Sequence, residues 1–151
     1  MITYVKGNLL KGGDDVICHG CNCFHKMGAG VALQIAKTYP EAYLADRKTN
    51  FKDKNKLGTY SFWVGKNVFF PDKNITIVNA YTQYNYGIIN QKSPFDYDAF
   101  KRVLPPIRGA FKDKTIGMPK IGCGLGGADW LIVEKMINDC FGEREVKVYL
   151  I

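Results

Sequence analysis

The chain has 151 residues, 46% of them hydrophobic and 13% aromatic, with 21 Lys and Arg against 14 Asp and Glu and a formal charge of +7. That length suits one domain, residues 1–151, able to bury roughly 70% of its unfolded surface without covalent staples. No apolar run nears the ~20 residues of a membrane span, the opening residues lack a secretory pattern, and an odd count of five cysteines, three of them bunched, argues against a disulfide framework. A soluble, cytoplasmic, monomeric protein is expected, its positive charge favouring an anionic ligand such as a nucleotide or nucleic acid.

In chain order, the first β run is ITYV (2–5) and the second DVICH (15–19), which leads into CHGCNCFHKMGAG (18–30). Val31, Leu33, Ile35 and Ala36 then follow helical spacing from about Gly30, stopping where Pro40 disfavours helix at Tyr39. A short helix is expected over 41–48. NFKDKNK (50–56), the densest basic patch, reads as a solvated loop, and GTYSFWV (58–64) and ITIVNAY (75–81) read as strands. PFDYDAFKRVL (94–104) starts a third helix, which Pro105 and Pro106 should end or kink.

TIGMP (115–119) is a further strand, followed by the Gly-rich IGCGLGGAD (121–129). The last helix is the clearest, with Asp129 as N-cap, Trp130, Val133, Met136, Ile137 and Cys140 on one face, and Gly142 past its end. VKVYLI (146–151) closes the chain. Strands alternating with helices predict a mixed α/β sheet flanked by helices.

Several chemistries can be weighed on these motifs. Cys18, Cys21, Cys23, His19 and His25 include a Cys-x-x-Cys pair, but zinc sites generally draw a second pair from another turn, and neighbours on a strand point to opposite faces, so no metal is expected. Cys123 follows a strand, yet the phosphate-clamping Arg of cysteine phosphatases would fall at Asp129, the wrong charge. Gly122, Gly124 and Gly127 satisfy G-x-G-x-x-G, but only one strand follows and no acid ends it, so a hydride-transfer cofactor is not expected. No Walker loop occurs. What remains is two Gly-rich turns, KMGAGVA and IGCGLGGAD, each after a strand and each opening a helix, together forming two backbone cradles for a diphosphate.

With ITYVKGNLL, VICHGCNCFHKMGAGVALQIAKTYP and MPKIGCGLGGADW, the chain resembles the macro domain family over almost its whole length. The branch it most resembles includes DNA and glutamate-linked ADP-ribosyl glycohydrolases and ADP-ribose 1''-phosphate phosphatases. The resemblance implies a three-layer α/β/α fold with a mixed central sheet and ADP-ribose as ligand. It assigns Asn8 to the adenine amine, where many members have Asp, and Asn22 to the distal ribose and a water. It assigns Gly28, Ala29, Gly30 and Val31 to the first phosphate loop, and Gly122, Cys123, Gly124, Leu125 and Gly126 to the second.

The departures bear on mechanism. The lysine that serves covalent chemistry in the glycohydrolases is matched by Gln83, with Thr82 beside it, and an amide cannot form a Schiff base. The acid some relatives carry after GCGL is Gly126. The expectation is therefore a phosphatase on ADP-ribose 1''-phosphate, with Asn22 orienting water and His25 moving the proton, although related phosphatases carry a histidine where this chain has Met27. Lys26 is an alternative source of charge for the terminal phosphate, and His19 reads as a core histidine. A de-ADP-ribosylating glycohydrolase acting on protein or nucleic acid, and a non-catalytic ADP-ribose reader, are the alternatives.

Overall fold

A computed structural model of the chain describes residues 1–86, 94–124 and 126–150. Six strands form one sheet in the order β1-β6-β5-β2-β4-β3. They are β1 (Ile2–Lys6), β2 (Val16–Cys21), β3 (Tyr60–Lys66), β4 (Asn74–Tyr81), β5 (Ile116–Met118) and β6 (Val146–Leu150), and each falls on one of the apolar runs. β1, β6, β5, β2 and β4 run parallel, and β3 is antiparallel at the edge. The carboxyl ends of five strands therefore share one edge of the sheet, where ligands of open α/β folds bind.

Helices cover both faces, which is why β2 and β4 are nearly continuous apolar runs. On one side α1 (Gly30–Thr38) and α2 (Pro40–Arg47) bury Ile35, Tyr39 and Ala42 against Ile17, Ile75 and Ile77. On the other, α3 (Tyr97–Ala110) and α4 (Trp130–Phe141) bury Phe100, Leu104, Val133 and Ile137 against Val16, Cys18, Val78 and Ala80. The architecture is the expected α/β/α sandwich with a mixed sheet.

Pro40 takes the first position of α2, where a missing N–H costs nothing. Of the two outcomes expected at Pro105 and Pro106, an end or a kink, the end needs correction, because α3 runs through both to Ala110. Both prolines are exposed while Val103, Leu104 and Ile107 beside them are buried. Water can satisfy the carbonyls that lose their helical partners, and apolar burial on both sides of the prolines holds the helix together.

Candidate functional site

Two loops at the carboxyl edge of the sheet build the site. The first leaves β2 and folds around the side chain of Asn22. Its Oδ1 accepts from Phe24 N at 2.9 Å and Lys26 N at 3.3 Å, and its Nδ2 donates to the Lys26 carbonyl at 2.9 Å. Tyr43 OH donates to the His25 carbonyl at 2.7 Å, tying the loop to α2. The loop then enters α1 at Ala29, which offers no side-chain cap, and no acid stands in the first turn. The first N–H groups of α1 therefore have no capping side chain.

The second loop leaves β5. Gly122 has φ +79°, and a Cβ there would lie 2.4 Å from the Phe95 ring. A Cβ at Gly126 would meet the Gly122 carbonyl at 2.7 Å. These two glycines are required by the loop's own folding. At Gly28 and Gly124, by contrast, an added Cβ would meet nothing within 4 Å, so their faces border open space. Leu125 lies outside the described residues.

Between the loops lies a cleft of about 660 Å³, and a second space of about 550 Å³ adjoins it, Val31 lining both. The larger space takes in Asn22, Gly28, Ala29, Gly30, Gly122, Gly124 and Gly126. The smaller is lined by Asn8, Leu9, Leu10, Gln34 and Leu150. The polar side chains of the larger cleft come from His19, Asn22, Lys26, Gln83, Tyr86 and Lys120, and among the described residues no Asp or Glu lines either space.

Two expected roles meet a different geometry. His25 does not line the cleft: at φ +55° its ring turns toward α2, and Nε2 donates to the Thr49 carbonyl at 2.8 Å. Asn22 lines the cleft, while the His25 ring is hydrogen-bonded to Thr49 outside its lining. Asn8 caps a 3₁₀ turn, Leu9–Lys11, its Oδ1 accepting from Leu10 N at 2.9 Å. That oxygen accepts one backbone hydrogen bond and keeps a second acceptor site.

His19 is indeed a buried, hydrogen-bonded histidine, and it also floors the cleft. β2 and β4 place it beside Asn79, and its Nε2–H donates to Asn79 Oδ1 at 2.7 Å. Asn79 Nδ2 donates to Ala42 O and Ser61 Oγ, both at 3.1 Å, which fixes the amide's orientation and hence the tautomer. Burial pulls the imidazole pKa down to about 4, so the ring is neutral at pH 7.

The cysteines divide between different surroundings: Cys18 packs under α3 and α4, while Cys21 and Cys23 sit beneath the first loop. Burial pushes the Cys18 and Cys23 thiols up to about 12 and about 11 and raises Cys123 as well. Among the described residues no three His, Cys, Asp or Glu are grouped as metal donors. Sequence reading missed Lys120 and Tyr86. Lys120 is one residue from a loop that was singled out, which was the available signal.

No family model matches the chain. It is 33% identical to an uncharacterized 17.5 kDa protein of phage T4, covering 98% of this chain and 95% of that one. It is 26% identical to the ADP-ribose 1''-phosphate phosphatase of Saccharomyces cerevisiae, over 98% and 97% of the two chains. The solved macrodomain of Mycobacterium tuberculosis DarG superposes with a TM-score of 0.73 at 25% identity, covering 98% of this chain and 97% of that one. The chain is a macrodomain. This macrodomain is also 29% identical to the M. tuberculosis DNA ADP-ribosyl glycohydrolase, matching 93% of its own length but spanning only 39% of that protein. Its named relatives are hydrolases of ADP-ribose derivatives.

Proposed function

We propose that this macrodomain binds ADP-ribose in the cleft and releases phosphate from ADP-ribose 1''-phosphate. The observation that carries the reading is the charge of the cleft: Lys26 and Lys120 line it and no carboxylate does, among the described residues. Such a substrate carries a diphosphate and a terminal phosphate monoester, the latter close to a dianion at neutral pH.

Hydrolysis of a phosphate monoester passes through a loose transition state, so positioning and charge stabilisation matter more than a strong base. Backbone N–H groups of Gly28, Ala29, Gly30 and Val31 in the first loop, and of Gly122 and Gly124 in the second, hold the diphosphate from two sides. Lys26, whose backbone Asn22 holds, neutralises the terminal phosphate and protonates the departing ribose oxygen. Asn22 uses one amide N–H on the Lys26 carbonyl, leaving a second for water or a ribose hydroxyl. At the base end, Leu9, Leu10, Val31 and Leu150 supply an apolar seat, and Asn8 contributes less than a carboxylate there because an amide oxygen lacks charge-assisted strength.

Phosphate release from ADP-ribose 1''-phosphate, with and without a chelator, tests this on the parent, Lys26→Met and Asn22→Ala. The parent turns over, Lys26→Met loses on the order of 10²-fold in kcat as expected for removal of one transition-state charge contact, and Asn22→Ala loses affinity as well as rate because the loop loses its fold. A parent that binds ADP-ribose tightly yet releases no phosphate is a reader. One that frees ADP-ribose from a modified protein or nucleic acid instead is a glycohydrolase.

A further inference from the structure

Beyond the first loop, Phe24 and Tyr84, packed on the core beneath that loop, carry the exposed rings of Phe51 and Tyr86 on one face. Phe24 is the hub, with Tyr84, Phe51 and Tyr86 packed edge-on around it at centroid distances of 5.0, 5.8 and 5.8 Å. Phe51 is 57% and Tyr86 51% exposed, so a large part of each ring faces water. Lysines are interleaved with them. Lys52 Nζ lies 5.4 Å from the Phe51 centroid, Lys54 Nζ 5.0 Å from Tyr84 and Lys26 Nζ 6.0 Å from Tyr86.

These cations are not spoken for by neighbouring acids. No ion pair among the described residues involves Lys26, Lys52 or Lys54. Asp53, the acid between them, turns inward on its own loop, accepting from Asn55 N at 2.9 Å and Asn50 Nδ2 at 3.3 Å. The basic run is therefore more than a solvated loop, and its last residue anchors it: Lys56 is buried, with Nζ donating to Thr49 Oγ1 at 2.9 Å.

The backbone is also held in an unfavourable form. Among the described residues His25 and Lys52 are the two non-glycines at positive φ, +55° and +60°. Lys52 N donates to the Cys23 carbonyl at 2.9 Å and His25 Nε2 to Thr49, so strained residues on two segments are locked against each other beneath the rings. At the other end Tyr86 and Lys26 line the cleft, so the face runs into it.

Flat exposed rings interleaved with unpaired lysines suit a single strand of nucleic acid, whose bases stack on the rings while its phosphates meet the ammonium groups. We propose that this face, from Phe51 to Tyr86, is a platform for single-stranded nucleic acid leading to the mouth of the cleft. An acidic peptide would use the lysines but leave the rings idle, and a duplex keeps its base faces stacked inside. The platform stands independently of whether the cleft turns over a phosphate.

The test uses fluorescently labelled 12-nucleotide oligothymidylate and oligouridylate, followed by anisotropy between 50 and 200 mM salt, on the parent, Phe51→Ala and Lys52→Asn. Asn accepts the left-handed backbone, so the second variant removes charge without new strain. The parent binds a single strand saturably and a duplex of equal length more weakly. The tighter of the two oligonucleotides identifies DNA or RNA as the strand, and either supports the platform. Phe51→Ala weakens binding at least about five-fold, the low end for one lost base stack. Lys52→Asn lowers the slope of log K against log salt by about 0.7. ADP-ribose affinity by calorimetry stays at the parental value in both variants, which shows that they fold. Equal binding of strand, duplex and polyglutamate by the parent, or unchanged strand affinity in Phe51→Ala, overturns the proposal. A parent that binds the strand but not ADP-ribose leaves the platform intact and defeats the proposed function alone.

Discussion

The neutral histidine beneath the cleft makes stability depend on pH in a calculable way. His19 has a folded pKa of about 4 because burial penalises the imidazolium, against about 6.5 in the unfolded chain. Between those values the unfolded state holds more protons than the folded one, so stability rises with pH and is lost as pH falls below 6.5. From pH 7 to pH 5 this one group removes about 2 kcal/mol, and below pH 4 about 3 kcal/mol. With a urea slope of about 2 kcal/mol per M, the midpoint drops by about 1 M between pH 7 and 5. Asp46, on the buried face of α2 with its carboxyl pushed up by desolvation, contributes with the opposite sign at the acid end. The decisive readout is therefore a difference. His19→Gln keeps an N–H for Asn79 Oδ1 and cannot titrate, and the same urea series on parent and variant cancels Asp46. The stability of the parent relative to the variant should be flat above about pH 7 and fall by about 2 kcal/mol on going to pH 5. Parallel slopes would mean that the folded imidazole charges freely, and the desolvation argument would fail.

Two further predictions test the cradle and the fold separately. Gly124→Glu places a carboxylate where an added Cβ has open space, so ADP-ribose binding measured by calorimetry should vanish while the melting temperature stays near the parent's; parental affinity would mean the second loop does not hold the ligand. Asp129 Oδ1 accepts from Leu131 N at 3.0 Å as the N-cap of α4, so Asp129→Ala should cost about 1 kcal/mol and lower the melting temperature by about 2–4 °C, and an unchanged melting curve would count against the cap.

Most of the architecture was legible because local pattern and tertiary environment agree. The β-branched runs at Ile75–Tyr81 and Val16–Cys21 are strands because helices cover both sheet faces, and Asp129 and Gly142 bound α4 by local cap chemistry alone. Pro105 and Pro106 misled because the local penalty was legible and the burial of Ile107 that outweighs it was not. The glycines of the site were legible as a group, but sequence could not separate Gly122 and Gly126, needed by the loop itself, from Gly28 and Gly124, which border the cleft. The direction of the His25 ring was not legible for a related reason: it depends on a left-handed backbone and on Thr49, 24 residues away. Spacing along the chain carries no trace of either.

Asn22 is tied into the first loop rather than standing as an isolated polar group. Its amide makes three contacts to backbone within four residues, two of them to Lys26, and so holds the Lys26 backbone against the start of the loop. A side chain committed in this way shapes the anion cradle whatever it also touches. It follows that Asn22 and Lys26 should couple in a double-mutant cycle on phosphate release: once Asn22 is gone, Lys26 no longer points at a defined place, and its removal should cost far less than in the parent. Additive losses would mean that the two residues act separately, and that the loop holds its shape without the amide.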